Sequence, residues 1–202
     1  MHGSEINKIN GDQALKRLLA GNARFQEKRP EHPRQTPDRS RETAADGQRP
    51  FAVIIGCSDS RVPPDILFDQ GIGYLFVVRT AGGVVDDVAI ASIEYAVSHL
   101  KTPLILVLAH AHCGAVTAAA AARAPLEGRL GCLVHAIRPA LEQVKEPCRD
   151  LVDRASKILA EMIARQLKNT GPFLSHAVNT GKIMIAAAYY DLFTGAVDIL
   201  SR

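Results

Sequence analysis

The feature that most constrains this chain is a set of short apolar runs separated by stretches of helical period. Residues 51–56, 74–79, 104–109 and 182–189 read as strands, and the first and third are apolar almost throughout. Such runs, with no polar alternation, fit strands buried on both faces of a parallel sheet. Between them lie helical patterns. Residues 86–100 place Ile90, Ile93, Val97 and Leu100 on one face, and residues 113–123 are alanine-rich. Residues 133–144 and 151–167 read as two more helices, the second keeping Val152, Ala155, Leu159, Met162 and Ile163 at helical spacing. A turn over 191–195 leads into an antiparallel edge strand over 196–200. Strands alternating with helices specify an α/β fold with a mostly parallel sheet.

The first 50 residues differ. Residues 12–27 predict a helix with Leu15, Leu18, Leu19 and Phe25 on one face and Asp12 at its start. Residues 28–50 carry Pro30, Pro33, Pro37 and Pro50 without apolar periodicity, and read as an extended, solvated connector. An apolar helix on a long tether, beside a core too small to absorb it, points to packing on a partner subunit. The expected organisation is an arm over 1–50 and an α/β domain over 51–202, assembled as a homodimer or a dimer of dimers.

Composition excludes several classes. A net charge of +3 is too small to argue for nucleic acid or a membrane surface, and there is no Trp to stack bases. No apolar run approaches the length of a membrane span, and the start has no signal-peptide core. Four cysteines in 202 residues are not a disulfide scaffold. Cys132 and Cys148 read as free thiols of a reducing compartment, so the expected location is cytoplasmic.

Two of the apolar runs end in residues that carry chemistry. The first leads into Gly56-Cys57-Ser58-Asp59-Ser60-Arg61, the other into His110-Ala111-His112-Cys113-Gly114. In parallel sheets ligands gather beyond the carboxyl ends of the strands, where Cys57, His110 and Cys113 would meet. Two thiolates and an imidazole suit zinc, and three protein ligands leave a fourth position open, as in catalytic sites. The plainer reading makes both cysteines small buried apolar residues and His110 a core histidine; a His-x-x-Cys pair alone does not decide between them.

Cys57-Ser58-Asp59-Ser60-Arg61, Val62-Pro63-Pro64, Phe68-Asp69-Gln70-Gly71, Val77-Val78-Arg79 and His110-x-x-Cys113-Gly114-Ala115 together resemble the beta-class carbonic anhydrases. The likeness runs from Leu15 to Leu200. It implies a sheet of order 2-1-3-4-5, N-terminal helices that embrace a partner, and reversible hydration of carbon dioxide to bicarbonate and a proton by zinc-bound hydroxide. By the same resemblance Gln70 orients substrate across the dimer interface. Related hydrolases of carbonyl sulfide or carbon disulfide, and a non-catalytic zinc or bicarbonate-binding homologue, are the rival functions. The intact Asp59 and Arg61 argue against a mere binder.

The residue chemistry agrees. Asp59 can accept a hydrogen bond from the nucleophile and aim it, and Arg61 can keep Asp59 ionised. His112 neighbours a ligand and is a candidate proton shuttle, while Arg79 reads as structural. Departures from the family pattern are Ala111, His112, Thr80, Gly83, Ile72 and Tyr74. The family rests either with this aspartate on the arginine or with it on zinc. The second state goes with a Trp at the place held here by Ile54, so the open arrangement is expected.

Overall fold

The computed structural model describes residues 9–123, 128–145 and 149–202. Among these, five strands form one sheet of order β2-β1-β3-β4-β5. The strands are β1 (Ala52–Cys57), β2 (Leu75–Thr80), β3 (Leu104–His110), β4 (Met184–Tyr190) and β5 (Val197–Ser201). The first four run parallel and β5 pairs antiparallel with β4. The α/β class is therefore as expected from the sequence pattern, and the strand order is the one the family resemblance implies.

Period-two alternation sorts the apolar strand residues onto two faces. Val53, Ile55, Ile105, Val107, Ile185 and Ala187 belong to one cluster. It is closed by α4 (Asp87–Ser98), α5 (Gly114–Ala121), α6 (Leu130–Glu142), α7 (Leu151–Asn169) and α8 (Gly171–Asn179). Ala52, Ile54, Leu104, Leu106, Ala186 and Ala188 belong to the opposite cluster, with Ala14, Leu15 and Leu18 of α1 (Gly11–Gln26). Their neighbours alternate faces, so the near-continuous hydrophobicity of β1 and β3 is the mark of a sheet covered on both sides.

α1 lies on the sheet of its own chain. Ala14, Leu15 and Leu18 are fully buried there, and burying two leucines is worth about 3–6 kcal/mol. The expectation that the core is too small to absorb this helix does not hold, because Ala14, Leu15 and Leu18 join the apolar cluster on the second sheet face. Asn10 caps the helix, taking the Gln13 N–H and giving its own N–H to the Gln13 side chain, both at 2.9 Å.

The connector is not extended throughout. Residues Pro37–Asp46 form α2. Thr36 accepts the Arg39 N–H, Pro37 opens the first turn, and Asp38–Arg41 and Arg39–Glu42 pair one turn apart. None of its residues is buried, so it has no apolar period to announce it. The sequence also hides the short α3 (Pro64–Leu67) and α8. Cys148 lies outside the described residues. Cys132 is a free, exposed thiol.

Candidate metal centre

β1 and β3 lie side by side and run the same way, pairing Gly56 with Leu108. Their carboxyl ends therefore deliver Cys57 and His110 to one edge of the sheet. Cys113 follows three residues later, immediately before α5. The ligand atoms of Cys57, His110 and Cys113 all lie within 4.8 Å of one another, and all three residues are buried.

The geometry fits a metal. The two sulfurs are 4.0 Å apart, twice the S–S length of a disulfide. Two thiolates at 2.3 Å from a tetrahedral zinc stand about 3.8 Å apart. His110 Nδ1 is engaged with the Ala111 carbonyl at 2.8 Å, while its Nε2 is buried with no hydrogen-bond partner. Nδ1–H donation to that carbonyl leaves Nε2 with a lone pair facing the thiols, the tautomer a metal requires. An unmet buried acceptor costs about 1–3 kcal/mol, which a cation would relieve.

The thiols differ. Cys57 Sγ accepts the backbone N–H groups of Asp59 at 3.4 Å and Gly82 at 3.3 Å. Without metal its pKa is lowered, first through the hydrogen bond from Cys113, against the opposing effect of burial, with help from the two backbone N–H groups. Cys113 is pushed up, first by its hydrogen bond to Cys57 and then by burial. The pair thus shares one negative charge until a cation arrives.

Asp59 and Arg61 form a two-pronged ion pair beside the ligands. Arg61 Nε donates to Oδ1 at 2.9 Å and Nη2 to Oδ2 at 2.7 Å, and the Arg61 backbone N–H adds a bond of 3.0 Å to Oδ1. This holds the Asp59 carboxyl well below the usual carboxylate range. Asp59 Oδ2 is also 4.0 Å from His110 Nε2, so the carboxylate borders the ligand cluster while it is engaged by the guanidinium. Ile54 is buried in β1, in the cluster covered by α1.

Arg79 reaches across from β2. Its Nε donates to the Cys57 carbonyl at 2.9 Å and Nη2 to the Asp59 carbonyl at 2.6 Å, so it braces the turn that carries ligand and dyad. Thr80 Oγ1 donates to the Val84 carbonyl, tying down the loop that supplies the Gly82 N–H. A small cavity under the ligands is walled by Val107, Val116, Leu159, Ala160 and Ile163.

Two expected site residues stand apart from this group. Gln70 is buried in its own chain, where Nε2 donates to the Phe68 carbonyl at 2.7 Å and Oε1 has no partner. The His112 ring is exposed and meets Phe193 edge-on at 5.4 Å. What His112 does give the site is its backbone: the carbonyl accepts from Arg61 Nη2 at 3.2 Å and the N–H donates to Asp153 Oδ1 at 2.8 Å. Sequence reasoning missed Asp153 and Gly82. Asp153 looks like any acid in a first helical turn, and it meets His112 across 41 positions.

Residues 52–197 match the family model described as carbonic anhydrase. Over 192 residues the chain is 40% identical to a carbonic anhydrase of Mycolicibacterium smegmatis, spanning 94% of this chain and 93% of that one. A 109-residue stretch is 58% identical to carbonic anhydrase 2 of Mycobacterium tuberculosis, over 54% of this chain and 52% of that one. A solved beta-carbonic anhydrase of Coccomyxa, in complex with acetazolamide, is 27% identical with a TM-score of 0.69, covering 92% of this chain and 86% of that one. A tetrameric beta-carbonic anhydrase of Sordaria macrospora shares the fold with a TM-score of 0.72 at 24% identity, over 93% and 97% of the two chains. A family match across the whole sheet, joined to 40% identity along nearly all of a relative, places this chain in the beta-class carbonic anhydrase family.

Proposed function

We propose that this chain is a zinc enzyme that converts carbon dioxide and water to bicarbonate and a proton, and the reverse. The observation that carries this reading is the position of Asp59, beside His110 Nε2 at 4.0 Å yet held by both prongs of Arg61. A binding protein has no use for an ionised acceptor fixed at the rim of its ligands. Cys57, His110 and Cys113 would hold the zinc, and when bound it supplies the acidity that makes a water nucleophilic near neutral pH.

The chain's own residues do the rest. Asp59 accepts a hydrogen bond from the attacking water and turns its lone pair toward the carbon. Arg61 keeps that carboxylate charged, so Asp59 orients the water without retaining its proton. The proton leaves to buffer or through His112, which is exposed to solvent. Ala111 contributes its backbone carbonyl, which fixes the His110 tautomer whatever side chain stands there.

The active form is proposed to be a homodimer or a dimer of dimers. Ile66 and Ile72 are 55% and 39% exposed on either side of Gln70, an apolar surface suited to a second copy. Gln70 would reach substrate there, in the partner's site rather than its own. Among the described residues no helix is long and apolar enough to cross a membrane. The unbridged thiols favour a reducing compartment, the cytoplasm. Stopped-flow hydration of carbon dioxide, on protein with measured zinc content, tests the function. Turnover that rises in proportion to zinc is expected; zinc-loaded protein no faster than buffer would refute it.

A further inference from the structure

His112 is one of few non-glycine residues here with a left-handed backbone, at φ +51°. That conformation is uncommon for a residue with a Cβ. It falls between two residues of the ligand set, His110 and Cys113, so it sets the direction from which Cys113 approaches. Both peptide groups of His112 are held from outside the turn. Arg61 binds the carbonyl and Asp153, in the first turn of α7, takes the N–H. The carboxylate of Asp153 stands beside Tyr189, whose phenol is pushed up first by burial and then by that charge. Lys157, one turn further along α7, lies 4.2 Å from the centre of the Tyr189 ring. Asp153 is thus set among α7, β4 and the turn after β3.

We propose that Asp153 is a positioning residue for the metal centre: by binding the His112 N–H it locks the left-handed turn that presents Cys113 and offers the His112 carbonyl to Arg61. The proposal rests on the zinc reading above. It makes α7 the element that sets the relation between the ligands and the Asp59–Arg61 pair. An acid that served only the start of α7 would affect stability and nothing at the metal.

The test uses zinc-loaded protein, following zinc release to an excess of chromogenic chelator together with kcat and KM in concentrated buffer. Asp153→Ala is expected to release zinc about tenfold faster and to lose about tenfold in kcat, within the range for partners of a ligand shell. Asp153→Asn keeps an acceptor oxygen and should stay within about threefold of wild type on both measures. Adding His112→Gly to Asp153→Ala should recover most of the loss, because glycine adopts the left-handed turn unaided. Wild-type zinc release in Asp153→Ala, or a double variant no better than Asp153→Ala, would overturn the proposal. Should Asp153→Ala not fold, hydrogen exchange at the His112 amide of the wild-type holoprotein decides: protection supports the lock, and free exchange refutes it. A wild type that holds zinc without hydrating carbon dioxide would sink the proposed function, yet the release and exchange measurements would still judge Asp153.

Discussion

The turn after β1 and the turn after β3 each bring ligands to the same point, but they are secured differently. The first, residues 57–61, is largely secured from within. Asp59 and Arg61 bind one another two residues apart, and the Cys57 sulfur takes the Asp59 N–H. Its outside supports come from the neighbouring strand β2 and the loop after it, through Arg79 and Gly82. The second, residues 110–114, contains a left-handed residue whose N–H and carbonyl are both claimed by distant side chains. One turn carries its geometry in its own sequence, while the other takes its geometry from the assembled fold. The first should therefore tolerate changes elsewhere, and the second should transmit them to the metal.

Substitutions can separate the two. The largest effect is expected from Cys57→Ser, which removes a ligand. Zinc affinity should fall by more than about 100-fold, beyond the usual cost of losing an outer partner, and hydration should vanish with it; zinc content after dialysis checks this. Asp59→Asn should lower kcat/KM by about 100-fold or more, the scale of a misplaced proton acceptor, while zinc stays bound. Arg61→Lys keeps the charge but not the two-pronged geometry, and should cost about tenfold with zinc retained. Away from the ligand itself, retained zinc with lost turnover, as expected for the Asp59 and Arg61 variants, is the signature of the first turn. Loss of both together, as expected for Asp153→Ala, is the signature of the second.

The thiol pair sharpens the contrast through protons. Cys57 is the thiol whose pKa is lowered before metal binds, first by the hydrogen bond from Cys113, and so is the one that carries the charge at pH 7. Cys113 is raised and remains a thiol. Zinc loading at pH 7 should therefore release about one proton per zinc, from Cys113. At acid pH protons compete with the metal for the Cys57 thiolate as well, so affinity should fall as pH is lowered. Calorimetry in buffers of different ionisation heat measures the count; two thiol protons at pH 7, beyond any released by the metal-held water, would mean that the two thiols are alike. The smallest effect is expected at His112→Ala, about threefold in turnover and only in dilute buffer, where proton export limits the rate.

Much of this was legible before the structure. The alternating strands and helices, the antiparallel edge strand and the meeting of Cys57, His110 and Cys113 follow from period and from strand direction. The Asp59–Arg61 pairing is local enough to be read at a spacing of two. What escaped depends on the third dimension or on surface chemistry. α2 buries nothing, so only Thr36 and Pro37 mark it. The seat of α1 on its own sheet depends on a face that no single segment reveals. Asp153 reaches His112 only after α7 has docked beside β3 and β4, and no local pattern encodes that.

The most direct test is a crystal structure of the zinc-loaded protein near pH 7.5, with the metal located by its anomalous signal. The expected result is one zinc at about 2.3 Å from the sulfurs of Cys57 and Cys113 and about 2.0–2.1 Å from His110 Nε2, with Asp59 still on both prongs of Arg61. An Asp59 oxygen at about 2.0–2.2 Å from zinc, or a zinc that omits any of the three ligands, would contradict it.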